Sequence, residues 1–198
     1  VHNIKNLLEQ MMGVEFRVAA TAIPPVIISG NVKVISNVVE SVGLDVVNVI
    51  DEPTAAASVL GITDGAVVDV GGGTTGISIL KDGKVVFTAD EPTGGTHMTL
   101  VLAGSLGCTF EEAERIKKDP KQEVLVFPVV KPVIEKMAAI VSRFIQGYDV
   151  DVIYVVGGAC SFKKFESVFE KETGIKTIKP KEPLLVTPLG IAMNCNRQ

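Results

Sequence analysis

The sequence predicts an α/β fold of layered helices and mixed sheets, on three observations. Short apolar runs of strand length alternate along the chain with segments of helical period. One block, residues 67–89, reads instead as consecutive antiparallel strands joined by glycine-rich turns. Of the 198 residues, 46% are hydrophobic and 21% charged, enough to bury a sizeable core in one large or two small domains.

Taken in order, the chain opens in a helical pattern (Ile4, Leu7, Leu8, Met11) without an initiator methionine, which predicts a piece or processed form of a longer protein. Phe16 to Ile23 reads as a buried strand closed by Pro24-Pro25, and residues 26–30 as a loop. Val32, Ile35, Val38, Val39 and Val42 follow helical spacing, with Gly43 as a stop. Val46 to Ile50 is a second buried strand ending in Asp51-Glu52, and Pro53 opens a short helix. Its three alanines, Ala55 to Ala57, keep that helix thin enough to lie close to a neighbour.

After the hairpin block, Thr96 is expected to cap a helix carrying Met98, Val101 and Leu102. Thr109 and Glu112 form a capping box for a helix through Lys118, stopped by Pro120. Val130, Val133, Ile134, Met137, Ile140, Val141, Phe144 and Ile145 mark a long amphipathic helix that must pack on a sheet. Val152 to Val156 is a strand running into Gly157-Gly158, with Ser161 expected to cap the next helix and Gly174 to end it. A short strand at 175–178 follows, and Thr187-Pro188 reads as the N-cap and first position of a last helix through Cys195.

A net charge of −4 with no basic run argues against a nucleic-acid or anionic-membrane surface. The longest apolar stretch, 18–28, is too short to span a bilayer and is broken by prolines. Three scattered cysteines, Cys108, Cys160 and Cys195, predict reduced thiols in a cytosol, and His2 and His97 are too few for a histidine metal centre.

The chemistry centres on Val67-Val-Asp69-Val-Gly71-Gly72-Gly73-Thr74-Thr75-Gly76. Glycines let successive backbone N–H groups converge on an anion, and Asp69, at a strand end, suits a carboxylate holding magnesium or water beside phosphates. A hairpin turn with a capping Asp needs only one or two such residues. Gly71, Gly73 and Gly76 also match the dinucleotide fingerprint, which requires a helix to open inside it. Here Gly76 leads into a strand, the turn Asp82-Gly83 and another strand, so that reading is disfavoured, and no P-loop occurs.

Three further groups are candidates. Gly157 and Gly158 let a ligand lie flat against bare backbone. Glu114 and Lys117 share one helix face, where they either reach a ribose or form a solvated ion pair. Glu52, between a strand and a proline-opened helix, either orients a water for phosphoryl hydrolysis or is a helix N-terminal acid.

These residues resemble the actin-like ATPase superfamily of heat-shock chaperones, sugar kinases and bacterial actins. Asp69-Val-Gly-Gly-Gly-Thr74 looks like its second phosphate motif, and Val155-Val-Gly-Gly158 like its adenosine motif. Asp51-Glu-Pro-Thr-Ala-Ala-Ala57 is close to the segment that connects the two lobes of the chaperones, and Glu114-Arg-Ile-Lys117 to the helix that contacts ribose and adenine. Ala20-Thr-Ala-Ile-Pro-Pro25, Gly94-Gly-Thr-His-Met98 and Leu185-Val-Thr-Pro-Leu-Gly190 are most similar to the J-type ethanolamine-utilisation proteins.

The resemblance implies a two-lobe, ribonuclease H-like ATPase fold with its first lobe incomplete: 1–65 with 181–198 in lobe I, and 66–180 in lobe II with a small helical insert at 96–127. It implies ATP or ADP with magnesium as ligands. Asp69 would hold the metal through water, Gly71, Gly72, Gly73, Thr74 and Thr75 the phosphates, and Glu52 the attacking water. Glu114, Lys117, Lys118, Gly157 and Gly158 would hold the nucleoside. It further implies chaperone-like switching in the bacterial cytoplasm, with ethanolamine-catabolism enzymes or microcompartment proteins as partners and neither nucleic acid nor membrane. Two departures stand out: the arginine expected shortly after the adenosine glycines is replaced by Ala159-Cys-Ser161, and the first phosphate motif, Asp-x-Gly-Thr at a strand end, is absent. The alternatives are a non-hydrolysing scaffold of the same fold, a cell-division actin homologue and a small-metabolite kinase.

Overall fold

The computed structural model describes residues 1–24 and 29–195. Pro25, most of the loop expected at 26–30, and residues 196–198 of the proposed first lobe lie outside the described residues. In chain order the elements are α1 (His2–Met12), β1 (Val18–Ile23), α2 (Ser29–Glu40), β2 (Asp45–Asp51), α3 (Glu52–Leu60), β3 (Gly65–Val70), β4 (Thr75–Lys81) and β5 (Lys84–Glu91). There follow α4 (Gly95–Leu106), α5 (Phe110–Lys118), α6 (Glu123–Ile145), β6 (Val152–Val156), α7 (Phe165–Thr173), β7 (Lys176–Ile178) and α8 (Pro183–Met193).

The predicted mixed sheet is present, in the order β5-β4-β3-β6-β7, with a separate parallel pair β1-β2. β3 pairs antiparallel with β4 and parallel with β6. Asp82 (φ 51°) and Gly83 (φ 71°) both take positive φ, as a two-residue hairpin turn between β4 and β5 demands.

β3 is buried along its whole length, and its alternating side chains feed two cores. Ala66, Val68 and Val70 pack on one face with Ile134, Phe165 and Phe169 of α6 and α7. Val67 packs on the other with Leu80, Val156, Ala56, Ala57 and Val186, under α3 and α8. Asp69 has the parity of Val67, so the strand delivers its carboxylate to the α3–α8 face.

Several expected elements are corrected. β1 and β2 are half-buried along most of their length, not buried, because only two strands form their sheet. Val38 is exposed on α2 and Val101 on α4. α4 is capped by Gly94, with Thr96 already inside the helix. Ser161 bonds the Gly158 carbonyl within a 3-10 turn, and α7 begins after it at Phe165. α6 starts at Glu123 and passes through Pro128 and Pro132, since burial of Val126, Val130 and Ile134 outweighs two lost ladder bonds. α8 starts at Pro183, which puts Thr187 and Pro188 inside the helix. The capping box at Thr109 and Glu112 forms as the spacing predicts.

Candidate functional site

The glycine loop between β3 and β4 closes on itself, Gly71 N–H donating to the Thr74 carbonyl at 3.0 Å. The N-terminus of α4 then grips it: Gly95 N–H donates to Gly71 O at 2.9 Å and Thr96 N–H to Gly72 O at 2.8 Å. Two otherwise unpaired helix donors thus fix the loop's carbonyls. A Cβ on Gly94 would lie 2.7 Å from Gly72 O, so the loop and helix meet only over glycine.

Beside this loop lies a cleft of about 720 Å³, lined by Gly71, Gly72, Glu114, Lys117, Lys118 and Gly158 among others. That size suits a small-molecule ligand. The glycine loop, Gly158 and the Glu114–Lys118 helix, read separately from the sequence, therefore border one space, whereas Glu52, Asp69, Gly73, Thr74, Thr75 and Gly157 are not part of its lining.

The carboxylate end is on the α3–α8 face. Asp69 is 7% exposed, and Thr187 Oγ1 donates to its Oδ2 at 2.5 Å. Burial pushes the Asp69 carboxyl above the usual range, against that hydrogen bond. Asp69 stands opposite Gly76 on β4, and Gly76 opposite Asp90 on β5. Directly paired residues share a sheet face, so Asp69 and Asp90 flank a gap left by a glycine. Asp90 is not among the expected site residues: counting back from the Asp82-Gly83 turn would pair Gly76 with Ala89, and a bulge between Ile79 and Leu80 shifts the register by one to bring Asp90 opposite it. Burial raises its carboxyl, opposed by a hydrogen bond from Thr74, and its Oδ1 is buried without a partner.

Glu52, the first residue of α3, is near enough to interact electrostatically with Asp69 and Asp90; Asp51 is the N-cap, accepting from Thr54 N–H at 2.9 Å. Burial raises the Glu52 carboxyl first, and repulsion from Asp69, Asp90 and Asp51 adds to it. An orphaned carboxylate oxygen among mutually repelling acids fits a hydrated dication. Among the described residues no three such side chains converge closely enough to hold an ion directly, so water would stand between. Cys160, fully buried and bonded to Val156 O, has its thiol pushed up by burial and then by Asp69.

The raised Glu52 carboxyl has a stability consequence. Its folded value exceeds its ordinary 4.5, so its contribution is full below about pH 4 and is lost as pH rises through the folded value. Glu52→Gln is therefore expected to leave the ligand-free thermal midpoint unchanged near pH 4 and raise it by about 2 °C near pH 7. Scanning calorimetry at both pH values checks this; a lowered midpoint at pH 7 contradicts it.

Two expectations about side chains are altered. The Thr75 hydroxyl is buried and donates to Thr93 O at 2.6 Å, so it is not available to a phosphate. The Lys117 side chain is 12% exposed, and its ammonium already meets Glu114 at 2.7 Å, Thr99 Oγ1 at 2.7 Å and Gly95 O at 3.0 Å. It braces α5 against the N-terminus of α4, and hence against the glycine loop. Burial pushes the Glu114 carboxyl up, but bonds from Lys117, Thr99 and Lys118 outweigh it and hold the group at about 2. Lys118 pairs with Glu114 at 2.9 Å yet stays 72% exposed, the freest cation at the cleft rim.

A family model described as type IV pilus assembly protein PilM matches residues 30–184. The PilM structure in a PilM–PilN type IV pilus biogenesis complex superposes with a TM-score of 0.69 at 17% identity, over 82% of this chain and 56% of that one, a likeness of fold. The ethanolamine utilization protein EutJ of Salmonella typhimurium is 46% identical over 93% of this chain. The crystal structure of EutJ from Carboxydothermus hydrogenoformans superposes with a TM-score of 0.91 at 50% identity, over 97% of this chain and 71% of that one. The fold is that of an actin-like ATPase-superfamily protein. Within that class the chain belongs to the EutJ family. It spans 65% of the length of the Salmonella relative.

Proposed function

We propose that the chain is the larger part of an ATP-binding, chaperone-like protein of ethanolamine utilisation that switches conformation on nucleotide binding and, when whole, hydrolyses ATP. One observation carries the reading: the glycine hairpin, the Gly158 backbone and the Glu114–Lys118 helix border a single cleft. The loop N–H groups and Thr74 would receive the β- and γ-phosphates, and Gly157 and Gly158 would let the nucleoside lie against β6. Lys118 and Glu114 would take the ribose and base side, with Lys117 holding their helix in place. Asp69 would hold magnesium through water, and Glu52 would orient the attacking water. Bound there, the metal would neutralise phosphate charge and offset the repulsion among the three carboxylates.

In this reading residues 1–65 with 181–198 form one lobe and 66–180 the other. The insert at 96–127 ends inside α6, so its far boundary runs along a helix. Partners would be ethanolamine-catabolism enzymes or microcompartment proteins in a bacterial cytoplasm, a proposal supported by the names of the relatives; among the described residues no helix is long and apolar enough to cross a membrane.

The test is thermal unfolding of the whole protein with ATP, with and without Mg²⁺. Magnesium-dependent stabilisation is expected, and Asp69→Ala is expected to abolish it; equal stabilisation of wild type and variant sinks the phosphate assignment. Glu52→Ala is expected to slow phosphate release at least tenfold with little change in ATP affinity. Unchanged turnover removes Glu52 from the mechanism. A scaffold of the same fold that binds without hydrolysing predicts stabilisation with no phosphate release.

A further inference from the structure

We propose that Thr187 of α8 is a positioning residue for the metal-facing carboxylate, orienting Asp69 to receive a hydrated divalent cation. The proposal rests on the nucleotide reading above and adds to it a residue from a distant part of the chain. Thr187 and Asp69 are 118 positions apart, both buried, and joined through Oγ1 and Oδ2.

A threonine inside a helix usually turns its hydroxyl back to the carbonyl four residues earlier. For Thr187 that carbonyl is Pro183 O, which accepts the Gly157 N–H at 2.9 Å. The Thr187 hydroxyl instead reaches out of its helix to β3. α8 therefore meets the ends of β6 and β3 at two points, Pro183 on Gly157 and Thr187 on the Asp69 carboxylate.

The donor rides on a fixed support. Gly190 packs so closely on Ala55 of α3 that a Cβ would overlap the Ala55 carbonyl. Asn194 donates to Ser58 Oγ at 3.1 Å and Gly190 O at 2.8 Å, and its own carbonyl accepts from Asn48 Nδ2 at 3.2 Å. Helix α8 is thus tied to α3 one turn beyond Thr187 and, through its C-cap Asn194, to α3 and β2 about two turns beyond, and the hydroxyl is held in place.

The other carboxylate oxygen, Asp69 Oδ1, lies against the Cα of Gly157, where a Cβ would collide with it. With Oδ2 held by Thr187 and Oδ1 against Gly157, rotation of the carboxylate is restricted. A contact through water is weak and directional, so a carboxylate already turned the right way loses less freedom when the cation arrives. Outer partners of metal-facing groups typically alter metal affinity ten- to a hundredfold when removed.

The experiment titrates Mg²⁺ at saturating ADP and reads the thermal midpoint, for wild type, Thr187→Val, Thr187→Ala and Thr187→Ser. Valine keeps the shape and removes the donor; serine keeps the donor. Valine and alanine are expected to raise the half-maximal Mg²⁺ concentration about tenfold, with serine within about twofold of wild type. ADP binding in a chelator is expected to be the same in all four, which a purely structural role would not predict. Equal Mg²⁺ midpoints in wild type and valine, or equal shifts in valine and serine, overturn the proposal alone. If valine and alanine both fail to fold while serine folds, the hydroxyl is structural and the proposal fails. No stabilisation of wild type by Mg²⁺ with ADP overturns it together with the nucleotide reading.

Discussion

Replacing Gly157 with alanine is expected to cost about 3 kcal/mol of stability and to remove magnesium-dependent stabilisation by nucleotide from the protein that still folds. Gly157 has φ of 93°, a conformation that L side chains rarely adopt. An added Cβ would lie 2.5 Å from Val70 O and 2.8 Å from Val70 C, and closer still to Asp69 Oδ1. Two of these neighbours are backbone atoms of β3, the central strand, which cannot shift without disturbing both its partners. The third is the proposed metal-facing carboxylate. Only glycine lets the end of β6 lie beside the end of β3, and so lets Gly157 adjoin Asp69. A loss of 3 kcal/mol lowers the thermal midpoint by roughly 10 °C in a chain of this size. Calorimetry without ligand and with Mg²⁺ and ATP separates the two effects. A variant with wild-type midpoint and wild-type nucleotide shift would show that β6 can retreat, and would remove the close approach from the account of the site.

What the sequence made legible follows from where each signal is stored. The antiparallel hairpin could be read because its turn is local: Asp82-Gly83 specifies positive φ and Gly76 is followed by alternating residues. The Thr109 box is likewise complete within four residues. Thr187 was misread for the same reason, since threonine before proline is a local N-cap signal. Packing against α3 carries α8 through Pro188 and places the threonine inside the helix. The Glu114 and Lys117 pair was visible at helical spacing, but the acceptors that occupy Lys117, Gly95 O and Thr99 Oγ1, belong to a different helix. Asp90 joins the site through strand register alone, two strands away from Asp69 across a glycine. Side chains whose partners lie within one turn or hairpin were readable, and those fixed by packing were not.

The second large effect is expected at Gly190, where alanine should cost about 3 kcal/mol or more by forcing α8 off α3. The helices cross over small residues. Ala55, Ala56 and Ala57 are buried at 0–3% exposure, and Gly190 lets the α8 backbone meet the Ala55 peptide. The added Cβ would overlap Ala55 O and lie 2.5 Å from Ala55 C, contacts with main chain that no rotamer change relieves. Gly190 is in an ordinary helical position, where alanine is normally favoured by close to 1 kcal/mol. A large loss here thus measures the crossing itself and not backbone strain. It would also move Thr187, one turn earlier on α8, so Gly190→Ala should raise the Mg²⁺ requirement in the same direction as Thr187→Val. Thermal unfolding followed by Mg²⁺ titration tests both. A variant as stable as wild type, or a destabilised one with an unchanged Mg²⁺ midpoint, would mean that α8 does not transmit its position to Asp69.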